Sequence, residues 1–265
     1  MDFKTDKIEE FASTVVGSRE HKKEIEYLCQ KLNLTKSGVI NAWITWDTGI
    51  NNYGNDIYGS LELRLAMHLH NYLPGSWHIE RQKKIIEFLD KIKPVNICEI
   101  GFGVPQNYIK EYVFKNSNVH LDLLDFDKEA IVFADALLGF WHKDYTKQIS
   151  TKLYDLNSSQ YPGDYDAYMF QDSIEHANSP TEYLSSLVSN IKKGTYFLFS
   201  LPIEVDKPVP EHFIFWKDDK GVFRWLEDSG LKVIKYSKIS MNKDVDIFAE
   251  FLHKDFYEII ILAQK

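Results

Sequence analysis

The sequence predicts an α/β fold built on a mostly parallel β-sheet, and two features of its apolar pattern support this prediction. After Pro94, short apolar segments alternate with segments of helical spacing. Strands in such an alternation are joined by helical crossovers, so they run parallel and are covered on both faces. The residues before this point show helical spacing without strands. We therefore expect a helical and aromatic N-terminal cap over residues 1–78 and an α/β domain over residues 79–265.

The composition is typical of a soluble protein with an acidic charge balance. Of the 265 residues, 31 are Lys or Arg and 39 are Asp or Glu, which gives a formal net charge of −8. This balance disfavours a nucleic-acid partner, because phosphate backbones are bound through clustered basic residues. The two cysteines, Cys29 and Cys98, indicate a reducing compartment, and the apolar runs are too short to cross a bilayer. We expect a cytoplasmic protein without a membrane partner.

Helices are predicted in the N-terminal part wherever apolar residues recur every three or four positions. This spacing covers residues 6–32, 60–72 and 79–92. Between the first two segments, residues 42–58 read AWITWDTGINNYGNDIY, a mixture of aromatic and turn-forming residues. We interpret residues 42–58 as a structured loop that serves as a lid.

Seven strands are predicted after Pro94, with helices between several of them. The strands are expected over residues 95–100, 119–124, 150–153, 165–170, 195–201, 232–239 and 256–263. Helical spacing covers residues 128–138 and 180–191. We expect the last strand to fold back against the one before it. The result is a seven-stranded, mostly parallel sheet with one antiparallel strand.

Polar residues follow the first three predicted strands, at the edge where ligands bind in α/β sheets. The first strand ends in Glu99 and the turn GFG, whose glycines let the backbone approach a ligand closely. The second ends at Asp125, a carboxylate suited to accept hydrogen bonds from both hydroxyls of a ribose. The third ends at Asp155 and Leu156, where an acid and an adjacent N–H group can pair with the edge of an adenine. A G-x-G turn alone also fits a tight strand-to-helix connection without a ligand.

A dinucleotide-dependent oxidoreductase is the main competing class for a glycine-rich first loop. Its fingerprint is G-x-G-x-x-G, and Gln106 stands at the third glycine position. The fingerprint therefore fails. That class also gives no role to the polar segment over residues 172–176.

Taken in order, the motifs of the α/β domain resemble those of class I S-adenosylmethionine-dependent methyltransferases. The motifs are EIGFG, LLDFD, YDL, DYDAYMFQDSIEHANSP, IKKGTYFLFSLP and EHFIFW. They are most similar to the small-molecule branch that carries a Glu-His pair after the fourth strand. The resemblance implies a Rossmann-like fold, S-adenosylmethionine as the cofactor and S-adenosylhomocysteine as the product. One departure is Pro105, which stands where the family usually has a third glycine.

The resemblance also implies which residues hold the cofactor. They are Glu99, Gly101, Gly103, Asp125, Phe126, Asp155, Leu156 and Gln171. Glu99 and the backbone of the two glycines would bind the amino-acid end, and Asp125 would bind the ribose, with Asp127 as a nearby alternative. Asp155 and the amide of Leu156 would face the adenine, and Gln171 would lie beneath the methionine portion.

The segment after the fourth strand holds the candidate catalytic residues His176, Asp172 and Glu175. His176 is a candidate general base for an acceptor hydroxyl. If the next helix begins by Asp172, the i, i+4 spacing places Asp172 and His176 on one helix face, where the carboxylate orients the imidazole. The alternative is that Glu175 and His176 cap and pack the start of that helix. A further hypothesis, drawn from some relatives of the fold, is that Asp172, Glu175, His176 and His212 hold Mg²⁺, Mn²⁺ or Zn²⁺.

Tyr53, Tyr58, Trp77 and His212 are the candidate substrate-binding residues. Aromatic rings stack on sugars and attract cations, although the same rings also fit a role in sealing the N-terminal helices to the sheet. This set and a Lys-, Asn- and Ile-rich composition favour O-methylation of a sugar or sugar-nucleotide hydroxyl in bacterial surface-glycan (capsule or lipopolysaccharide) biosynthesis. Alternatives are N-methylation of a small amine, and a methyltransferase-like module that binds without turnover. The acceptor atom and the oligomeric state stay open.

Overall fold

The computed structural model describes residues 3–48, 59–71, 77–158, 160–204, 212–240 and 257–265. The chain divides into two compact units. The helical unit comprises residues 1–73, 103–106 and 127–145, and the sheet unit comprises residues 74–102, 107–126 and 146–265. Each unit is therefore assembled from segments that are separate in the sequence.

The sheet unit contains one sheet of seven strands. The strands are β1 (Asn96–Ile100), β2 (His120–Asp125), β3 (Ile149–Leu153), β4 (Ala167–Gln171), β5 (Tyr196–Ile203), β6 (Lys232–Ser240) and β7 (Tyr257–Gln264). Their order across the sheet is β3-β2-β1-β4-β5-β7-β6. Strands β1 to β5 pair in parallel, whereas β7 runs antiparallel to both β5 and β6. The predicted seven-stranded, mostly parallel sheet with one antiparallel strand is confirmed.

Eight α-helices lie in the described part of the chain. They are α1 (Phe3–Val16), α2 (Lys22–Leu32), α3 (Lys36–Thr48), α4 (Leu61–His70), α5 (Trp77–Ile92), α6 (Lys128–Trp141), α7 (Pro180–Asn190) and α8 (Asp219–Asp228). Shorter elements are a π-helical turn (Ile109–Val113) and two 3-10 turns (Tyr145–Lys147 and Ile174–His176). Within the described ranges, every helix is too short or too polar to cross a lipid bilayer.

One sequence prediction is wrong for part of its length, because α3 occupies the first residues of the expected loop over residues 42–58. Val39 and Trp43 are fully buried and lie four positions apart, and α3 packs against α1 and α4. Burial of this face outweighs the weak helix propensity of aromatic and β-branched residues. Residues 49–58 lie outside the described residues.

Polar side chains cap and connect the helices of the helical unit. The Ser60 hydroxyl caps α4 by accepting a hydrogen bond from the Leu63 N–H at 3.1 Å. His68 Nε2 of α4 lies 2.7 Å from Glu24 Oε1 of α2, and Glu24 Oε2 accepts from Trp141 Nε1 of α6 at 2.9 Å. These contacts explain why α6, which follows β2 in the chain, belongs to the unit formed by the first four helices.

Stacked aromatic rings form a core on one face of the sheet. Tyr168 and Phe170 of β4 stack on Phe197 and Phe199 of β5, with ring centroids 5.4 and 5.5 Å apart. All four rings are buried, as expected for strands covered on both faces. Each such pair contributes about 0.5–1.5 kcal/mol beyond the burial of area. The core therefore fixes the carboxyl end of β4 against that of β5.

Strand β1 lies at the topological switch point of the sheet. Its Glu99 is in register with Leu123 of β2 on one side and Met169 of β4 on the other. The chain therefore leaves β1 toward one edge of the sheet and returns at β4 toward the other. Ligands bind at such points, in the crevice beyond the carboxyl ends of the strands.

Candidate functional site

The loop after β1 contains a glycine at a position where any larger residue would be strained. Gly101 has a φ of +73°, and its N–H donates to the Leu124 carbonyl at 2.7 Å. A Cβ atom on Gly101 would lie 2.5 Å from the Cβ of Ser173, whose hydroxyl donates to the Ile100 carbonyl at 2.7 Å. The loops after β1 and β4 are therefore in direct contact at the switch point.

Glu99 and three other buried residues form a closed hydrogen-bonded ring, which includes the backbone N–H of Tyr108. Tyr108 Oη donates to Glu99 Oε2 at 2.6 Å, and Gln171 Nε2 donates to Glu99 Oε1. Gln82 completes the ring, since its Nε2 donates to Gln171 Oε1 at 2.9 Å and its Oε1 accepts from the Tyr108 N–H at 3.2 Å. Burial raises the pKa of Glu99 to about 7, against the lowering effect of the bonds from Tyr108 and Gln171. Because burial destabilises the charged form of this carboxylate, a cationic group placed beside it would be bound favourably.

Asp125 and Phe126 lie at the carboxyl end of β2, next to the loop of Gly101. Asp125 is buried, its carbonyl accepts from the Tyr154 N–H at 2.8 Å, and its charge acts on Glu99. Phe126 is 72% exposed, which is unusual for a phenylalanine in the sheet unit. The structure thus places a buried acid and an exposed ring side by side at the switch point.

Asp155 and Leu156 follow β3, where a cleft opens. Asp155 is exposed, and its Oδ1 accepts from the Asn157 N–H at 2.8 Å. Leu156 is half-buried and lines a cleft of about 330 Å³ between this loop and the start of α7. The Asn178 N–H donates to Asn157 Oδ1 at 2.7 Å across the cleft lining. No local sequence pattern indicates this cleft, because its two sides, at Asn157 and Asn178, are 21 positions apart in the sequence.

In the helical unit, Gly103 and the first residue before α6 share one arginine. Gly103 has a φ of +58°, and its carbonyl accepts from Arg64 Nη1 at 3.3 Å. Arg64 also pairs with Asp127 Oδ2, while Asp127 Oδ1 accepts from the Glu129 N–H at 2.9 Å and caps α6. Asp127, a nearby acid that follows Asp125 in the motif LLDFD, therefore has a structural role of its own.

The segment between β4 and α7 is a turn, so the expected helix face of Asp172 and His176 is wrong. Asp172 has a φ of +48°, which lies outside helical geometry, and Ile174–His176 form a single 3-10 turn. The N-cap of α7 is Ser179. Glu175 and His176 therefore do not cap α7.

Asp172 forms an ion pair with the buried guanidinium of Arg81. Arg81 Nη1 also lies 3.5 Å from Glu258 Oε1, and its Nη2 lies 2.9 Å from His78 Nδ1. Burial and the charge of Asp172 raise the pKa of Glu258 well above its usual range. The ion pair stabilises the turn, because without Asp172 the buried Arg81 would keep only the more distant carboxylate of Glu258 as a charged partner.

Glu175, His176 and His212 form a compact cluster at the same edge of the sheet. One potential ligand atom from each residue lies within 4.8 Å of the other two. The two imidazole rings are edge-on with centroids 4.7 Å apart, and the Phe213 N–H donates to the Glu175 carbonyl at 2.8 Å. His212 Nδ1 lies 3.0 Å from Glu204 Oε2. The segments after β4 and β5 are thus held together, with side chains of metal-ligand type between them.

Of the predicted substrate-binding aromatic residues, only Trp77 lies among the described residues. Its ring stacks on His78 with centroids 3.8 Å apart, and the Arg81 guanidinium lies 4.8 Å from the ring centroid. Tyr53 and Tyr58 lie outside the described residues. His212 belongs to the cluster with Glu175.

Several site residues had no signal in the sequence. Gln82 and Tyr108 close the ring around Glu99, and Arg81, Glu204 and Glu258 surround the cluster of Glu175. Gln82 and Arg81 lie on α5, and a helical pattern shows only whether such a position belongs to the polar or the apolar face of the helix. Gln171 is 89 positions from Gln82, and Asp172 and Glu258 are 91 and 177 positions from Arg81, so no local pattern identifies these contacts.

Comparisons with known proteins support the fold. No protein-family model and no curated protein sequence matches the chain. Magnesium protoporphyrin IX methyltransferase (ChlM) from Synechocystis PCC 6803, solved with bound SAM, is 16% identical with a TM-score of 0.54, over 83% of this chain and 94% of that chain. The [4+2]-cyclase SpnF is 12% identical with a TM-score of 0.54, over 68% and 80% of the two chains. StiE O-MT is 9% identical with a TM-score of 0.52, over 70% and 73%.

At these identities the similarity establishes the fold alone. The seven-stranded, mostly parallel sheet with its antiparallel β7 agrees with the class I methyltransferase fold that the sequence predicts.

Proposed function

We propose that this chain, which has the class I methyltransferase fold, is an S-adenosylmethionine-dependent methyltransferase that acts on a hydroxyl group of a small polar acceptor. The ring around Glu99 is the observation that carries the proposal. A carboxylate buried at the switch point, with a pKa raised to about 7, is stabilised when a cation approaches it. The α-ammonium group of a methionine moiety is such a cation.

The residues of the sheet unit fit the remaining parts of this cofactor. Asp125 has a carboxylate suited to two ribose hydroxyls, and the exposed ring of Phe126 is suited to lie against a purine. Asp155 and Leu156, beside the cleft after β3, fit the adenine edge. Gly101 permits the close approach of backbone that a cofactor at this loop requires. When bound, S-adenosylmethionine supplies a methyl group activated by its sulfonium, with S-adenosylhomocysteine as the product.

The acceptor hydroxyl has to lose its proton, and the cluster of Glu175, His176 and His212 lies at the edge of the sheet where this would occur. Help with proton removal accelerates such reactions by roughly 10²–10⁴. His176 is exposed and therefore accessible to an acceptor. The polar groups of this edge favour a polar acceptor, and we propose a sugar or sugar nucleotide of surface-glycan biosynthesis.

Calorimetry with S-adenosylhomocysteine tests the cofactor site. We expect binding by the wild type and binding weaker by 10-fold to 100-fold in Asp125→Ala, because hydrogen bonds to a charged group contribute about 1.5–3 kcal/mol. Asp228→Asn, at the exposed end of α8, is the matched control and should bind like the wild type. Failure of the wild type to bind would refute the proposal.

A methyl-release assay against a panel of sugar nucleotides and small amines tests the reaction. A fold shared with a [4+2]-cyclase makes this measurement necessary, since the fold hosts more than one chemistry. We expect His176→Ala to lower kcat by 10²-fold or more with unchanged affinity for S-adenosylhomocysteine, and His120→Ala to have no effect. A mild effect of His176→Ala would favour N-methylation of an amine. Binding without turnover of any acceptor would favour a module that binds only.

A further inference from the structure

Glu175 is a buried carboxylate that accepts no hydrogen bond from any other described residue. The residue is 0% exposed, and neither side-chain oxygen has a hydrogen-bond partner among the described residues. An ionised carboxylate in such surroundings is strongly unfavourable unless a cation neutralises it. Protonation does not remove the difficulty, because the O–H group would also remain unpaired. The surroundings of Glu175 therefore call for an additional positive group.

The neighbouring charges indicate the sign of that group. The carboxylates of Asp172 and Glu204 interact electrostatically with Glu175, and Glu258 lies in the same cluster of charges. The guanidinium of Arg81 interacts with Glu175 and Glu258, and it is already paired with Asp172. A cluster of four carboxyl groups with one guanidinium favours a cationic ligand over an anionic one.

We propose that Glu175, His176 and His212 bind a divalent transition-metal ion. One carboxylate oxygen and two imidazole nitrogens are a ligand set typical of Zn²⁺, Fe²⁺ or Mn²⁺, whereas Mg²⁺ and Ca²⁺ prefer oxygen ligands throughout. In a tetrahedral site, ligand atoms about 2.0–2.2 Å from the ion lie roughly 3.3–3.6 Å apart. The three ligand atoms lie within 4.8 Å of one another, so ion binding requires them to approach by up to roughly 1.5 Å, which rotation of the exposed His176 side chain is able to provide.

The second hydrogen bond of His212 supports the same assignment. Its Nδ1 lies 3.0 Å from Glu204 Oε2, a buried carboxylate. A carboxylate at Nδ1 fixes the tautomer in which Nδ1 carries the proton and Nε2 has its lone pair available. Metal-bound histidines usually have such a carboxylate behind them, and it increases their basicity. Glu204 is therefore a positioning residue for His212.

The proposed ion has a role in the reaction only if the proposed function is correct. Three protein ligands leave a coordination position open for a water molecule or a hydroxyl group. A metal ion lowers the pKa of a hydroxyl that binds to it, so the proton is released to water and His176 acts as a ligand. Binding of the ion itself does not depend on this role.

Zn²⁺ and Mn²⁺ titrations of chelator-treated, full-length protein test the site directly. Calorimetry and metal analysis should find one equivalent of ion in the wild type. We expect Glu175→Gln and His212→Ala to weaken binding by at least 100-fold, and Glu204→Gln by 10-fold to 100-fold. His120→Ala removes a histidine at the start of β2 and should bind the ion like the wild type.

Thermal unfolding separates a binding role from a structural one. Without metal, we expect Glu175→Gln to have a stability close to that of the wild type, because the uncharged amide keeps the shape of the carboxyl group and is equally without a hydrogen-bond partner among the described residues. With Zn²⁺, the Tm of the wild type should rise, and that of Glu175→Gln should not. His212→Ala serves as the second variant in case the glutamine variant does not fold.

Two outcomes would overturn the inference. One is a wild type that takes up no stoichiometric Zn²⁺ or Mn²⁺, and the other is a Glu175→Gln variant that binds the ion as tightly as the wild type. Binding of S-adenosylhomocysteine in the same samples distinguishes this failure from a failure of the proposed function. Cofactor binding without metal binding would leave methyl transfer intact and assign His176 to direct proton removal.

Discussion

Substitution of Glu99 by Gln tests whether this carboxyl group is protonated in the folded protein. Burial raises its pKa from 4.5 to about 7, so between these pH values the folded protein holds a proton that the unfolded chain releases. The stability that this proton contributes is fully present below pH 4.5 and is lost as the pH rises through 7. The free energy of unfolding of the wild type should therefore fall with rising pH.

The size of this effect follows from the two pKa values. Each tenfold change in proton affinity corresponds to about 1.4 kcal/mol, so the total effect is roughly 3 kcal/mol. Between pH 5 and pH 8 the loss is about 2.5 kcal/mol. Glu99 is fully buried, so solvent does not screen the effect.

Urea unfolding at several pH values between 5 and 8 provides the measurement. The other buried acids contribute to wild type and variant alike, so the difference between the two proteins isolates Glu99. We expect the free energy of unfolding of Glu99→Gln to fall by about 2.5 kcal/mol less than that of the wild type. Glu111→Gln, which alters an exposed pair with Lys115, should follow the wild type. Parallel pH profiles for wild type and Glu99→Gln would refute the assignment of a raised pKa.

Saturating S-adenosylhomocysteine extends the same experiment to the proposed cofactor site. An ammonium group beside Glu99 favours the ionised carboxylate, so the ligand should flatten the pH profile of the wild type and leave that of Glu99→Gln unchanged. An equal effect on both proteins would place the ammonium group elsewhere.

Two further substitutions test the geometry around the site. Gly101→Ala should destabilise the protein by about 1–3 kcal/mol and weaken binding of S-adenosylhomocysteine, because the new Cβ meets Ser173 at 2.5 Å. Gly194→Ala is the control in thermal unfolding, because φ is also positive at Gly194 but no atom lies within 4 Å of the new Cβ. Equal losses of stability in the two variants would exclude a contribution from the contact with Ser173. Arg81→Leu should cost about 3–5 kcal/mol at pH 8 in urea unfolding, because Asp172 and Glu258 lose their buried partner. The loss should shrink at pH 5, where these acids are more readily protonated, and a loss independent of pH would contradict this reason.

The local pattern was sufficient for most of the secondary structure. Strand β1 and its glycine turn, β2 with Asp125, and the antiparallel β7 were all predicted, because period-2 runs and turn residues act within a few positions. The extent of α3 was not, since the burial of Trp43 depends on other helices. The turn at Asp172 was also missed, because its cause is an ion pair with Arg81, 91 positions away in the sequence.

Apolar periodicity and glycine turns are local properties, so the amino-acid pattern alone predicts a mostly parallel α/β sheet with polar residues at the carboxyl ends of its strands. Which of those polar residues meet depends on the packing of distant segments. The ring of Gln82, Tyr108 and Gln171 around Glu99 joins distant segments. The approach of His212 to Glu175 also joins segments that are distant in the sequence. Buried polar groups need partners at defined positions, and only tertiary packing provides those positions.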